Sequence, residues 1–558
     1  MSVLVNEAKK QIEELLINAA KTAIEKGELC EAELAPFKVE VPADRKNGDY
    51  AVNAAMVWAR GFKSAPRAIA EKLMANVDFG GTFIEKYEIA GPGFINLFLS
   101  DKYYADIVAD VITKGDNYGK SNFGEGKRVL VEFVSANPTG PMHIGNARGG
   151  ALGDCLAAVM SAAGYYTERE FYINDAGNQI NKFGLSLDLR YQQIFADGVE
   201  MPEDSYHGED IVAHAKAFAE INGDKYMSVD EATRRKALVE FALPKNIQGL
   251  QDDLRKYRIE YNTWFRESAL HNNGEAARII ELLKQSGHTY TQEDALWFKA
   301  TDFGCDKDFV LVRANGVPTY VVPDIAYHYN KLEVRKFDKA IDILGADHHG
   351  YVPRLKAALT ALGVDADRLD VVLMQMVRLV RDGEVIKASK RSGKAITLVT
   401  LLDEVPIDAA RFFFNLREPN SHFDFDLDLA VSESNSNPVF YVQYAYARIC
   451  SILRNLAEDG INKRDCTAEE LCLLNAPEER ELIIHISSLT DEIIQSAKSY
   501  DPARLTHYVN ELATKFHKFY AACRVKGDDE VLTQARLNLC YATGIVIKNV
   551  LDMMKISA

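Results

Sequence analysis

The spacing of apolar residues changes character twice along this chain of 558 residues, and each change predicts a different kind of element. Up to about Gly119, helix-like stretches are mixed with YEIAGPGFINLFLS (Tyr87 to Ser100), whose Ile/Phe/Leu alternation after a Gly-Pro-Gly turn predicts a strand. The first of those stretches, residues 1–29, is an amphipathic run bearing acids and lysines. From Lys127 the pattern becomes βα. RVLVEFV is a nearly continuous apolar run, as a parallel strand buried on both faces requires, and a glycine-rich turn, a small-residue helix ending near Gly164 and a second strand, TEREFYI, follow it. DFVLVR, AIDILG and DVVLMQMV predict further strands. After about Val405 the strands stop. DAARFFFNL, NPVFYVQYAYARICSILRNL, EERELIIHISSLTDEIIQSA, LTHYVNELATKFHKFYAAC and ARLNLCYATGIVIKNVLDMM carry apolar residues three and four apart, which predicts a helix bundle. The expected fold class is α/β: a doubly wound, Rossmann-like parallel sheet over 120–404, preceded by an α+β module over 1–119 and followed by an all-α bundle over 405–558.

Composition changes this picture little. The length exceeds one comfortable core, and 47% apolar with 26% charged residues is an ordinary globular balance. No apolar run approaches a membrane span, and residues 1–29 do not read as a secretory signal, so a cytoplasmic location and no membrane partner are expected. The eight cysteines (Cys30, Cys155, Cys305, Cys450, Cys466, Cys472, Cys523, Cys540) include no CxxC pair, which argues against a zinc ribbon or a disulfide framework and predicts small core residues. A formal net charge of -16 repels polyanions at long range, so a nucleic-acid site must be a local basic patch.

Two stretches depart from this background. In SANPTGPMHIGNARGG (Ser135 to Gly150), turn-forming residues crowd around His143 where the strand RVLVEFV gives way to a helix. Ligands of open α/β sheets bind beyond the carboxyl ends of strands, where a helix start offers free N–H groups. Gly145 lets a flat or phosphorylated group lie on the backbone, and His143 and Asn146 supply donors to phosphate oxygens. Standing alone, this would be a glycine-rich turn whose histidine caps the helix. The rival phosphate loop, GDNYGKS from Gly115, is one residue short of the Walker spacing and follows no strand. In VRLVRDGEVIKASKRSGKAITL (Val377 to Leu398), Arg378, Arg381, Lys387, Lys390, Arg391 and Lys394 stand against only Asp382 and Glu384. Such cations can follow charge moving onto a leaving pyrophosphate, although a solvated loop would be the reading of this stretch alone.

Together, HIGN and KASK resemble the two signatures of class I aminoacyl-tRNA synthetases, usually written HIGH and KMSK. The resemblance sharpens to arginyl-tRNA synthetases of the bacterial type through VEFVSANPTGPMHIGNARG, YVVPDIAYH, LGADHHGYV, MVRLVRDGEVIKASKRSGKAITL, DAARFFF and NPVFYVQYAYARI, and the likeness runs from about Gly48 to the C-terminus. Asn146 stands in place of the second histidine and Ala388 in place of the methionine; asparagine keeps a donor, and the methionine position bears no charge.

That resemblance implies ATP-dependent activation of arginine to arginyl-adenylate, then transfer to the 3′-terminal adenosine of tRNA(Arg). Its implied partners are tRNA(Arg), L-arginine and ATP, with Mg2+ accompanying ATP, no protein-bound metal, and a monomeric chain. It implies His143, Asn146, Lys387 and Lys390 as catalytic residues, with Gly145 and Ser389 completing the ATP site. The attacking carboxylate comes with the substrate, so no triad is needed. A guanidinium, a planar fork of five donors, calls for carboxylates. The positions matching the family are Glu132, Asn137, His143, Tyr320, Asp324 and His348, and the four-residue spacing of Tyr320 and Asp324 places both on one helix face. Asp347, His348 and His349 do not read as a metal site, because adjacent histidines diverge. NGDYAVNAA (Asn47 to Ala55) and GPGFINLFL resemble the family's N-terminal additional domain, which contacts the tRNA corner, and Tyr441 and Tyr444 are its implied stacking residues for anticodon bases. Two other readings stay open at this point: a small-molecule adenylylating ligase of the same superfamily, and a catalytically inactive RNA-binding paralogue.

Overall fold

In the computed structural model, which describes residues 3–42, 44–386 and 396–558, five parallel strands form the centre of the molecule. In chain order the parts that frame it are β1 (Arg128–Glu132), α1 (Ile144–Ala162), β2 (Tyr166–Ile173), β3 (Thr263–Arg266), α2 (Val321–Tyr329), β4 (Lys339–Gly345) and β5 (Leu369–Met374). The strands lie in the order β5-β4-β1-β2-β3, all neighbours parallel. From β1 the chain winds to β2 and β3 on one side, then crosses to β4 and β5 on the other, so the winding reverses between β1 and β4, where such folds place their ligands. The continuous apolar run of β1 is explained by burial on both faces, Val129 to Val131 being fully covered. The small residues of α1 let it press onto that strand: a Cβ on Gly153 would lie 2.1 Å from the Phe133 ring.

Three expectations change. DFVLVR forms a strand (Phe309–Val312), but in a separate three-stranded antiparallel sheet. β3 was not foreseen, because TWFR is too short and polar at its end to register as a buried run. Strands also continue past Val405: Phe423–Asp426 pairs in parallel with Val377–Arg381, so the chain returns from the helical region to close a small sheet beside the second signature. Of the cysteines, Cys155, Cys523 and Cys540 are buried, whereas Cys30 and Cys450 are exposed.

Before the parallel sheet, the helix Val3–Glu25 packs with a four-stranded antiparallel sheet whose hairpin, the edge strand Ile84–Ala90 with Phe94–Leu99, turns at the Gly-Pro-Gly. Between β2 and β3, the helices Gly177–Phe195, Glu209–Asn222 and Glu231–Lys256 enclose a core of their own around Phe183, Leu187, Phe218 and Leu238. The bundle comprises α3 (Ile407–Phe414), α4 (Pro438–Glu458), the helices Pro477–Ser487 and Leu489–Ser499, α5 (Ala503–Ala522) and α6 (Glu530–Met553). Among the described residues, no helix is long and apolar enough to cross a membrane.

Candidate active site

Where the chain leaves β1 its backbone is strained: Val134 (φ 73°) and Ser135 (φ 44°) both lie in the left-handed region, costing on the order of 1–3 kcal/mol each. Contacts on either side hold this kink. The Ser135 hydroxyl donates to Glu132 Oε1 (2.8 Å) and accepts from the backbone N–H of Tyr172 (3.2 Å) on β2. The strained turn therefore fixes Glu132 at the end of β1 and sends Ala136 to Pro141 outwards as the wall of an open cavity of about 560 Å³. Asn137, His143 and Asn146 face this cavity, with Tyr206 and Asp210 opposite them.

His143 is the N-cap of α1. Its Nδ1 accepts from the Gly145 N–H (3.1 Å), while Asn146 Oδ1 accepts from the His143 N–H (3.1 Å), a reciprocal capping box. Capping, the plain reading of this motif, is thus what the Nδ1 side of the ring does. With Nδ1 accepting and partial burial lowering the imidazole below its usual range, the neutral ring carries its proton on Nε2, a donor free of the cap. Gly145 has a second reason to lack a side chain: a Cβ there would lie 3.0 Å from the His143 ring.

The chain that follows the second signature meets the first signature through its backbone. Ile144 N–H donates to Ile396 C=O (3.2 Å) and Leu398 N–H to Met142 C=O (2.9 Å), with His143 and Thr397 paired between them. Lys387, Ser389 and Lys390 lie outside the described residues. Arg148, which the sequence reading passed over, is fully buried and clamps α1 to the same region by donating to the carbonyls of Gln375, Glu418 and Ser421.

A second, more enclosed group lies across β4, β1 and β2, level with the carboxyl end of β1. Asp342, Glu132 and Glu170 are partners in register on these three strands, so three carboxylates stand in a row, all buried. α2 and the π-helical turn that extends it (Asn330–Val334) supply the facing groups: His328 to Asp342 (2.6 Å), Lys331 to Glu132 (2.5 Å) and to Asp342 (2.8 Å), and Tyr327 to Glu170 (2.7 Å). Glu132, His328 and Asp342 bring potential metal ligands within 4.8 Å of one another, but the Lys331 ammonium already bridges the two carboxylates. One helical turn before His328, Asp324 accepts from the Tyr351 hydroxyl (2.6 Å), and burial holds its carboxyl above the usual range. Tyr351 also lies near Tyr320 (ring centroids 6.1 Å apart), while Tyr320 itself is 71% exposed at the start of α2. His348 sits exposed just beyond β4, beside Asp347. The structure therefore brings Glu132, Asp324 and Tyr320 to one face of the sheet, adds Tyr351, and leaves Asn137 and His348 at its rim.

In the bundle, Tyr444 is 39% exposed beneath the Arg448 guanidinium, and Tyr441 is half-buried against His517 (5.0 Å between rings).

Three family profiles match in succession: the arginyl tRNA synthetase N terminal domain over residues 6–99, the catalytic domain of class I tRNA synthetases (R) over 107–423, and the DALR anticodon binding domain over 442–558. The arginine--tRNA ligase of Acetivibrio thermocellus is 51% identical over 560 residues, covering 100% of this chain and 99% of that one; the enzyme of Caldanaerobacter subterraneus subsp. tengcongensis is 52% identical over 558 residues with the same coverage. The chain belongs to the arginyl-tRNA synthetase family. Its fold agrees: the Thermus thermophilus arginyl-tRNA synthetase superposes with a TM-score of 0.74 at 22% identity, over 98% of this chain and 99% of that one. For an arginyl-tRNA synthetase, two kinds of subsite are needed side by side, one for a triphosphate and one for a cation. The open capped turn and the enclosed carboxylates have those two characters.

Proposed function

We propose that this arginine–tRNA ligase activates arginine in the space between the His143 turn and the carboxylates of Glu132 and Asp324, and hands it to tRNA(Arg) at the same place. The observation that carries the reading is the nearness of a neutral histidine donor on a helix N-terminus to Glu132, buried at the end of β1, and to the Asp324 carboxylate on α2. The guanidinium binds Asp324 and Glu132 beside Tyr320, and Asn137 and His348 hold the amino-acid end. ATP lies over Gly145, with its phosphates near His143 Nε2 and Asn146; Mg2+ enters with the nucleotide. The arginine carboxylate attacks the α-phosphorus, the bond to pyrophosphate breaks, and Lys387 and Lys390 neutralise the leaving charge with Ser389 beside them. The terminal ribose hydroxyl of tRNA then attacks the adenylate carbonyl, releasing AMP. The chain works as a cytoplasmic monomer of three units, near 1–119, 120–404 and 405–558, with Tyr441 and Tyr444 stacking on anticodon bases.

A small-molecule adenylylating ligase has no use for the anticodon-binding domain matched at 442–558. The test is ATP–pyrophosphate exchange with each amino acid, with and without tRNA. Arginine alone should support exchange, and only with tRNA present; exchange driven by another amino acid would overturn the reading.

A further inference from the structure

The buried ammonium of Lys331 belongs to no step of the reaction, yet it is completely enclosed and bonded to two carboxylates, one of which, Glu132, is assigned above to the substrate. A lysine is placed there by an irregularity of the helix. After Tyr329 the chain widens into one π-turn, in which the Arg335 N–H reaches back five residues to the Asn330 carbonyl (2.8 Å), and Lys331 lies on the side facing the sheet. Such turns recur at functional sites because they re-aim one side chain within an otherwise regular helix.

The groups facing this ammonium come from every neighbouring element. β4 supplies Asp342, β1 supplies Glu132, and β2 supplies Glu170 and Tyr172. α2 and its extension supply Asp324, Tyr327, His328 and Arg335, and Tyr261 approaches Glu132 from the loop before β3. The cations are divided unevenly among the acids. Glu170 has Arg335 (2.6 Å) and the Tyr327 hydroxyl. Asp342 has Lys331 and also His328, whose other ring nitrogen lies 2.7 Å from the Asp324 carbonyl. Among the described residues, Glu132 is bonded only to Lys331 and the neutral Ser135 hydroxyl, with the His328 ring within 4.8 Å. Lys331 is, among those residues, the one cation bonded to the buried carboxylate at the end of β1.

We propose that Lys331 is a positioning residue for arginine recognition: it keeps Glu132 ionised and its carboxylate oriented, so that a guanidinium meets an anion and not a neutral acid. The inference rests on the assignment of Glu132 to the arginine site. Three nearby carboxylates hold the ammonium itself charged, more than offsetting the burial that would discharge it. Without Lys331, Glu132 has no bonded cation among the described residues, while Asp342 keeps His328 and Glu170, whose carboxyl burial already holds above the usual range, keeps Arg335, so a proton entering the row is shared between Glu132 and Glu170.

The test measures arginine KM, ATP KM and kcat in tRNA-dependent exchange, for the full chain, from pH 6.5 to 9. Each variant is compared with the parent at the same pH, so that titration of arginine's own amino group cancels. Lys331→Met should raise arginine KM roughly 30-fold at pH 7 with ATP KM within about twofold, and the ratio to the parent should fall as pH rises and Glu132 reionises. Lys331→Met combined with Asp342→Asn removes one charge of each sign; it should fold, bring arginine KM back to within about threefold of the parent, and flatten the pH dependence. A purely structural lysine would change stability or kcat without a pH-dependent ratio confined to arginine KM. The proposal is overturned if folded Lys331→Met shows a parental KM, or if the folded double variant is no better than the single. Where the single variant does not fold, the double variant decides alone. Glu132→Gln separates the two layers: if it leaves arginine KM unchanged, the assignment of Glu132 is wrong and this inference falls with it, whereas a raised KM there beside a parental KM in Lys331→Met removes only the role of Lys331.

Discussion

At the scale of single residues, specificity should reside in Asp324. Its carboxylate is enclosed and has one hydroxyl donor, Tyr351, which leaves acceptor capacity for a guanidinium. Asp324→Asn keeps the shape but turns an amide donor toward a group made only of donors. Breaking a buried charge pair from one side costs on the order of 3–5 kcal/mol, or two to four decades in arginine affinity. Calorimetric titration with arginine should show that loss while ATP affinity stays put; parental arginine binding would pass the role to Glu132. Citrulline, whose oxygen can accept from the new amide, should lose less than arginine does. Tyr351→Phe should cost less, about 1.5–3 kcal/mol, since it deletes one hydrogen bond to a charged acceptor and keeps the ring. What was legible here follows chain distance. The His143 turn and the Tyr320–Asp324 face could be read locally, because capping and four-residue spacing are local properties. Lys331, Tyr351 and Asp342 could not, since Lys331 meets Glu132 across 199 positions and Tyr351 meets Asp324 across 27. No periodicity marks such partners.

At the scale of elements, the long helices of the bundle and the doubly buried strands were readable, because a period of 3.6 or an unbroken apolar run persists over many residues. The helices Gly177–Phe195, Glu209–Asn222 and Glu231–Lys256 went unread, and so did β3 and the strand Phe423–Asp426, which are four residues each and owe their pairing to partners elsewhere in the chain. α4 shows how burial refines a reading made on spacing alone. Tyr441 and Tyr444 are three apart and both lie against His517 (5.0 and 5.7 Å between rings), but Tyr441 is half-buried while Tyr444 is 39% exposed, with Phe440 and the Arg448 guanidinium beside it. Tyr444→Leu should therefore raise the KM for tRNA by the equivalent of about 1–3 kcal/mol with little change in melting temperature. Tyr441→Leu should move both quantities, and a purely thermal effect in each would return the two rings to the core. For the second signature, Lys390→Ala should lower the single-turnover rate of activation by about a hundredfold, roughly 3 kcal/mol, with far less effect on ATP affinity. An unchanged rate would take that lysine out of the mechanism.

At the scale of the whole molecule, the end of the chain is bolted to the helix that begins at His143. Arg411, on α3 and fully buried, donates to Asp154 on α1 (2.6 Å), to the carbonyl of Met554 just after α6 (2.6 Å) and to that of Tyr257 (2.9 Å). Asp154 is shared with Arg169 (2.8 Å) and Lys555 (3.3 Å), and these cations hold its carboxyl below the usual range against the burial that would raise it. One residue pair thus joins the α/β centre, the bundle and the last turn of the chain, and DAARFFF, whose spacing predicts a helix and whose sequence matches the family pattern, carries the join. Arg411→Met should be costly because it strips one ion from a buried pair: about 3–5 kcal/mol, read as a lowered midpoint in urea. Adding Asp154→Asn should recover part of that loss, because the carboxylate, fully buried and left with only Arg169 and Lys555, cannot be rehydrated, whereas those two partly exposed cations can. The sign of the pH dependence follows from the depressed carboxyl. Its stabilisation is complete above the unfolded value, near pH 3.9, and is lost as pH falls below it. The parent should therefore lose stability more steeply on acidification than the double variant, which has no carboxylate at position 154 to protonate. Equal acid limbs in the two proteins, or a double variant no more stable than Arg411→Met, would show that the junction is held by apolar packing and not by this pair.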